Sequence, residues 1–185
     1  ASGYINVAAG AHEITVRSPG DATVLWQQEV TAGASPLTLV ASSTQTLTFN
    51  AYEDSFSSAG VGTSRFSVIH AIEGAPGVTI TANGETGPSL EYGQFAGTFD
   101  VPAGIYTIGV NAGDSALIDE TPIGFVSNTT HMLVVYGTAD NPELMELSAP
   151  IVGAGDSGLV RIAHTVAGAP DVDVYTDGTL IVPAL

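Results

Sequence analysis

Two stretches of this chain repeat each other at a constant spacing, and that spacing limits what the whole can fold into. Laid together, "RFSVIHAIEGAPGVTITANG" (65–84) and "LVRIAHTVAGAPDVDVYTDG" (159–178) bring His70 onto His164, Ala75-Pro76 onto Ala169-Pro170 and Gly84 onto Gly178, each 94 positions apart. The same offset of 94 carries "GYINVAAGAHEITV" (3–16) onto "GTFDVPAGIYTIGV" (97–110), with Gly3 on Gly97, Val7 on Val101, Gly10 on Gly104, Ile14 on Ile108 and Val16 on Val110. The start of the chain thus corresponds to the second half of a middle unit, and its end to the first half. The expected organisation is one complete central unit (63–156) flanked by two half units: 1–62, somewhat expanded around "TAGASPLTLVASS", and 157–185. Two periods would be 188 residues against the 185 present, so the chain reads as close to two units cut out of phase.

The pattern inside each unit is that of β-structure. Alternating apolar and polar residues, rich in β-branched and aromatic types, recur in "HEITVRS", "QTLTFNAY", "GVTITANG", "IYTIGVNAG" and "VDVYTDG", and no dozen-residue window keeps a helical period. Asn83-Gly84, Asp177-Gly178, Pro102-Ala103-Gly104 and Asp140-Asn141-Pro142 punctuate these runs as turns, because Asn, Asp and Gly tolerate positive φ and Pro holds φ at the negative value that turns use at their first corner. Short strands at this spacing predict an all-β fold of sandwich or barrel type.

The pattern "VRIAHTVAGAPDVDVYTDGTLIVPAL", followed by "SGYINVAAGAHEITV", resembles the secreted bacterial and archaeal repeats classed as domain of unknown function 4397. That resemblance implies immunoglobulin-like β-sandwich modules, often in tandem, in an extracellular or cell-envelope setting and with no assigned activity. The middle unit departs from the pattern, with Gly77 and Thr79 where the last unit has Asp171 and Asp173.

A half sandwich leaves strand edges unpaired and an apolar face in water, so each end of the chain must find its complement. Joining Leu185 to Gly3 leaves only Ala1 and Ser2 between them, where six residues separate Leu90 from Gly97 in the middle unit. That shortfall points to a neighbouring chain or continuing sequence as the complement. The surface doing the joining would comprise Tyr4, Ile5, Val7, Ile14 and Val16 from one end with Val160, Ile162, Val172, Val174, Leu180, Val182 and Leu185 from the other. A contact of this kind that never closes builds a head-to-tail homopolymer. The leading expectation is therefore a structural subunit of an extracellular filament or surface array; a cell-surface adhesin or carbohydrate- or calcium-binding repeat is the alternative.

Charge narrows the partners. Three cations, Arg17, Arg65 and Arg161, stand against 19 acidic residues, and the net charge of −16 argues against nucleic acid. The longest apolar runs, such as "MLVVY", are too short to cross a bilayer. The chain opens on Ala1 with no charged-then-apolar leader and reads as processed or excerpted. With no cysteine, it has no disulfide, thiolate zinc site or cysteine nucleophile.

Few residues suit chemistry, and the reading is of a protein that is not an enzyme. His12, His70, His131 and His164 are the only groups titrating near neutrality, and the duplication of His70 and His164 favours a repeated turn-stabilising role. Asp171 and Asp173 on one strand face, with Asp177 at the turn, form a candidate Ca2+ site through carboxylate oxygens, without the spacing of a calcium hand. "GDSG" (155–158) lacks partners for a serine nucleophile. Asn128-Thr129-Thr130 is a glycosylation sequon in an expected loop, with Asn128 as acceptor. Trp26 and the tyrosines sit in or beside strand patterns, as core residues do.

Overall fold

The structure is a computed structural model that describes residues 1–42, 47–151 and 157–185. The described residues form sixteen strands and no helix. None therefore forms a helix long and apolar enough to cross a membrane. The first part of the chain supplies β1 (Ile5–Ala8), β2 (Gly10–Arg17), β3 (Val24–Ala32), β4 (Leu37–Ser42) and β5 (Thr48–Glu53). The middle supplies β6 (Thr63–His70), β7 (Val78–Ala82), β8 (Glu85–Leu90), β9 (Phe95–Pro102), β10 (Gly104–Ala112), β11 (Ser115–Phe125), β12 (Thr129–Thr138) and β13 (Asn141–Pro150). The end supplies β14 (Ser157–His164), β15 (Asp173–Thr176) and β16 (Thr179–Val182).

These strands build two compact units, one from Ala1–Phe56 together with Ala154–Leu185 and the other from Ser57–Gly153. In the continuous second unit the sheets run β13-β12-β6-β9 and β11-β10-β7-β8. In the first they run β5-β4-β14-β1 and β3-β2-β15-β16. With β14, β15 and β16 in the places of β6, β7 and β8, and β1 to β5 in those of β9 to β13, the two orders are the same. The first unit is a circular permutant of the second, cut where the second runs from β8 to β9.

Register follows topology. The central pairs β6/β12 and β14/β4 are parallel, and Val68 faces Leu133 as Ile162 faces Leu39, both partners displaced by the sequence offset. The antiparallel pair β7/β10 sets Ile80 against Val110 just as β15/β2 sets Val174 against Val16. Correspondence loosens at β3 and β11, the edge strands, where register shifts interrupt the pairing with β2 and β10. Strands β4 and β12 are buried along nearly their whole length, which is why "LTLV" and "HMLVVY" read as near-continuous runs and not as alternation.

Each unit closes over its own core. Ile14, Val16, Ile162, Val172 and Val174 sit in the first, and Ile108, Val110, Val68, Val78 and Ile80 hold the equivalent places in the second. Each such aliphatic side chain contributes about 1.5–3 kcal/mol by leaving water. The expected turns form: Asn83 and Gly84 have φ of 52° and 80°, and Asp177 and Gly178 have 46° and 77°, so both two-residue hairpins take the left-handed geometry that matches strand twist.

Two expectations are corrected. The halves 1–62 and 157–185 do not wait for a neighbouring chain or further sequence, because β14 seats between β1 and β4, and β15 between β2 and β16, within one chain. Only Ala1 and Ser2 would separate Leu185 from Gly3, yet no covalent join is needed where backbone pairing supplies the connection. The unit boundary also moves from residue 63 to Ser57. The carbonyl and hydroxyl of Ser57 each accept from the Arg65 guanidinium at 2.8 Å, and the Gly62 amide donates to the Ser127 hydroxyl at 3.0 Å, binding this linker to the second unit.

Trp26, the single tryptophan, packs against the first core and reports on that unit. Ile162 is fully buried on a strand from the far end of the chain, so Ile162→Ala should lower stability by about 2–5 kcal/mol, read as an earlier denaturant midpoint in Trp26 fluorescence. An unchanged midpoint would mean that β14 is not seated in this core.

Candidate functional site

The residues expected to join one copy to the next are brought together inside the first unit. Val7, Ile14, Val16, Val160, Ile162, Val172, Val174 and Val182 are all buried in its core, with Ile5 and Leu185 packed against them. Leu180 remains 46% exposed on the edge strand β16. Tyr4 belongs elsewhere, to a buried polar cluster that the sequence reading missed.

That cluster centres on Arg161, whose side chain is 2% exposed. Arg161 alternates with Val160 and Ile162 along β14 and so projects from the face opposite the core. Its Nη2 donates to Asp54 Oδ2 at 3.0 Å and its Nε to Thr38 Oγ1 at 3.1 Å. The Thr38 hydroxyl and the Tyr4 phenol both donate to the same Asp54 oxygen, and the guanidinium carbon lies 4.5 Å above the Tyr4 ring. Burial pushes the Tyr4 phenol well above its ordinary value, with the Arg161 charge opposing and the Asp54 charge adding to the rise. A buried charge with this many partners is a structural device that is costly to break on one side only. At the equivalent positions of the second unit, taken from the strand register, stand Ser67, Met132, Ala149 and Thr98, so the cluster is private to the first. The legible signal was an arginine inside an apolar strand of a chain with three cations, since such a charge requires a partner.

Arg65 makes its own pair. Its Nε and Nη2 meet the two oxygens of Asp100 at 2.7 and 2.8 Å, and this fork holds the Asp100 carboxyl below its ordinary value. Arg17 lies 4.6 Å over the Tyr175 ring.

The duplicated histidines are turn staples. The Ile72 amide donates to His70 Nδ1 at 3.3 Å, leaving Nε2 to donate to the Pro76 carbonyl at 3.2 Å. The Val166 amide donates to His164 Nδ1 at 3.3 Å, with Pro170 acting on the ring as Pro76 does on His70 but without full hydrogen-bond geometry at Nε2. Burial lowers the affinity of both rings for a proton. His131 accepts the Val126 amide on Nε2 at 3.3 Å, and its Nδ1 lies 2.6 Å from Glu146. His12 bridges Asp177 at 2.6 Å and the Ala8 carbonyl at 2.8 Å; hydrogen bonding to Asp177 raises its proton affinity.

The three aspartates considered for Ca2+ are not gathered. Asp173 begins β15 and is buried, while Asp171 precedes that strand and is exposed. Asp173 accepts the amides of Ala184 at 2.9 Å and Gly20 at 3.4 Å. Asp177 accepts the Glu13 amide at 2.9 Å and pairs with His12. In the second unit Asn83 accepts the Thr107 amide at 2.8 Å from the same place, so a neutral side chain performs the clip. Among the described residues no group of three or more His, Asp or Glu is placed to hold a metal ion. Asn128 is exposed with φ of 56°, and its side-chain nitrogen donates to the Ile151 carbonyl at 3.1 Å, a turn device at the sequon. The "GDSG" stretch begins outside the described residues.

Residues 64–150, lying wholly within the second unit, match the family model of a domain of unknown function (DUF4397). No curated protein matches the chain.

Removing one partner of the buried pair leaves the other charge without compensation. Arg161→Leu should therefore cost about 3–5 kcal/mol, while Arg161→Leu with Asp54→Leu recovers a large part of it; Trp26 fluorescence in denaturant measures both. Additive losses would show that the two side chains do not act as a pair.

Protonation works on the first unit in two directions. His164 resists protonation when folded, so its stabilisation is lost as pH falls below the ordinary histidine value; His12 gains proton affinity, so its contribution is present below that value and lost as pH rises through the raised one. Between about pH 8 and about pH 5, His164→Gln should flatten the acid side of the stability profile and His12→Gln the alkaline side. The reverse assignment would overturn both roles.

Proposed function

We propose that this chain is a structural module of an extracellular filament or surface array, composed of two immunoglobulin-like β-sandwich repeats, and that it is not an enzyme. In this reading, copies join head to tail by exchanging the halves of the split repeat. One observation carries it: in the first unit the two ends of the chain meet by non-covalent strand pairing, through β1/β14, β14/β4 and β2/β15. If the 157–185 strands of one copy enter the first unit of the next, the same register pairs re-form between chains. The balance between closed monomer and polymer is then set by concentration and linker geometry.

The charge supports the same reading. A net charge of −16 repels neighbouring polymers sideways while leaving apolar strand contacts along the axis unaffected. High salt or Ca2+ would bundle such filaments by screening, without a dedicated ion site.

The chain's lack of cysteine allows a direct test. Ile5 and Val160 face each other across β1 and β14, so Ile5→Cys with Val160→Cys places two thiols in register. Oxidised in the assembled state and run on a denaturing non-reducing gel, the variant should give a ladder of covalent multimers. A single band near 18.7 kDa at every concentration would mean that the unit stays closed on itself, and would defeat the exchange mechanism.

A further inference from the structure

The second unit leaves a slot where the first has a side chain. Strands β8 and β9 are edge strands, one in each of its two sheets, and beside them lies a cavity of about 180 Å³ walled by Phe66, Val68, Ile80, Ala96 and Phe99. Its floor on β8 is Gly87, where the first unit carries Ile181, and Ile181 packs against the first core. The second unit is thus one aliphatic side chain short at this position.

An apolar void of this size has a defined chemistry. A cavity of about 150 Å³ lined by Leu, Ile and Phe stays dry and accepts a benzene-sized guest, because water inside it finds too few polar partners. The slot is of that order in volume but is open to solvent beside Phe99, which is 37% exposed and lies 5.2 Å from Phe66 between ring centres, so a guest enters from outside and leaves part of itself in water. Glu85, the one charged residue in the lining, stands where the β7–β8 hairpin enters the slot. Among the described residues no cation forms an ion pair with this carboxylate, and the three arginines meet Asp100, Asp54 and the Tyr175 ring.

We propose that the slot is a binding site for a small amphiphilic amine, whose aromatic or branched aliphatic body fills the space left by Gly87 and whose ammonium pairs with Glu85. The net charge of −16 raises the local concentration of such cations and disfavours anions of the same shape. This site is independent of the exchange mechanism, since it lies within the continuous unit.

The test uses 2-phenylethylamine as the probe and phenylacetate as its anionic counterpart, titrated into the full chain and followed by amide chemical shifts. The amine should perturb Ile80, Ala96 and Phe99 and bind roughly two- to fivefold more tightly than phenylacetate. Glu85→Gln should remove that preference while leaving ring binding in place. Gly87→Ile, which restores the first unit's side chain, should abolish binding. A Cβ at Gly87 comes 3.1 Å from the Ile80 carbonyl, so Ala82→Leu serves as a second filling variant on the opposite strand. Equal affinity for the two probes, no shifts at the slot, or binding that survives both filling variants in folded protein would overturn the proposal.

Discussion

The first unit depends on one strand, β14, which enters from the far end of the chain and lies between β1 and β4. Without it, the four-stranded sheet to which it belongs is two fragments with open edges, and Val160 and Ile162 are missing from the core. The parallel pairing of β14 with β4 cannot come from a hairpin and needs a long connection. Here the connection runs through β5 and the second unit. Closing so long a loop is less unfavourable than its length suggests, because the entropy lost grows only with the logarithm of length and a folded insert shortens the effective span.

The two units show what an eight-stranded plan requires and what it leaves open. Core positions such as Ile14 and Ile108, the hairpin turns at 83–84 and 177–178, and the histidines that staple the turn after β6 and β14 appear in both. Polar contents do not. Arg161, Asp54, Thr38 and Tyr4 form a buried cluster on one, while Ser67, Ala149, Met132 and Thr98 stand in their places on the other. The edge strand β16 carries Leu180 and Ile181 where β8 carries Thr86 and Gly87. Backbone register and a packed interior set the plan, and residues facing away from the core or lining an edge are free to differ.

Much of this was legible. Alternation, turn dipeptides and the 94-residue offset led to strands, hairpins and a whole unit flanked by two halves, because each is a local pattern or a comparison of local patterns. The role of His70 and His164 was legible for the same reason. Asp171, Asp173 and Asp177 misled because their nearness in sequence says nothing about partners: Asp173 turns to the amides of Gly20 and Ala184, and Asp177 to Glu13 and His12. Arg161 with Asp54, and the slot beside Gly87, were beyond reach, since each is made by strands distant along the chain.

The sequence by itself determined an all-β chain, the out-of-phase organisation and most of the apolar residues buried where the two ends meet, because periodicity and repetition dictate which faces are apolar. Only the tertiary structure decided that the ends meet within one chain, which carboxylates face arginine, and where a missing side chain leaves space. Those outcomes rest on distances between residues far apart in sequence, and no local pattern encodes such distances.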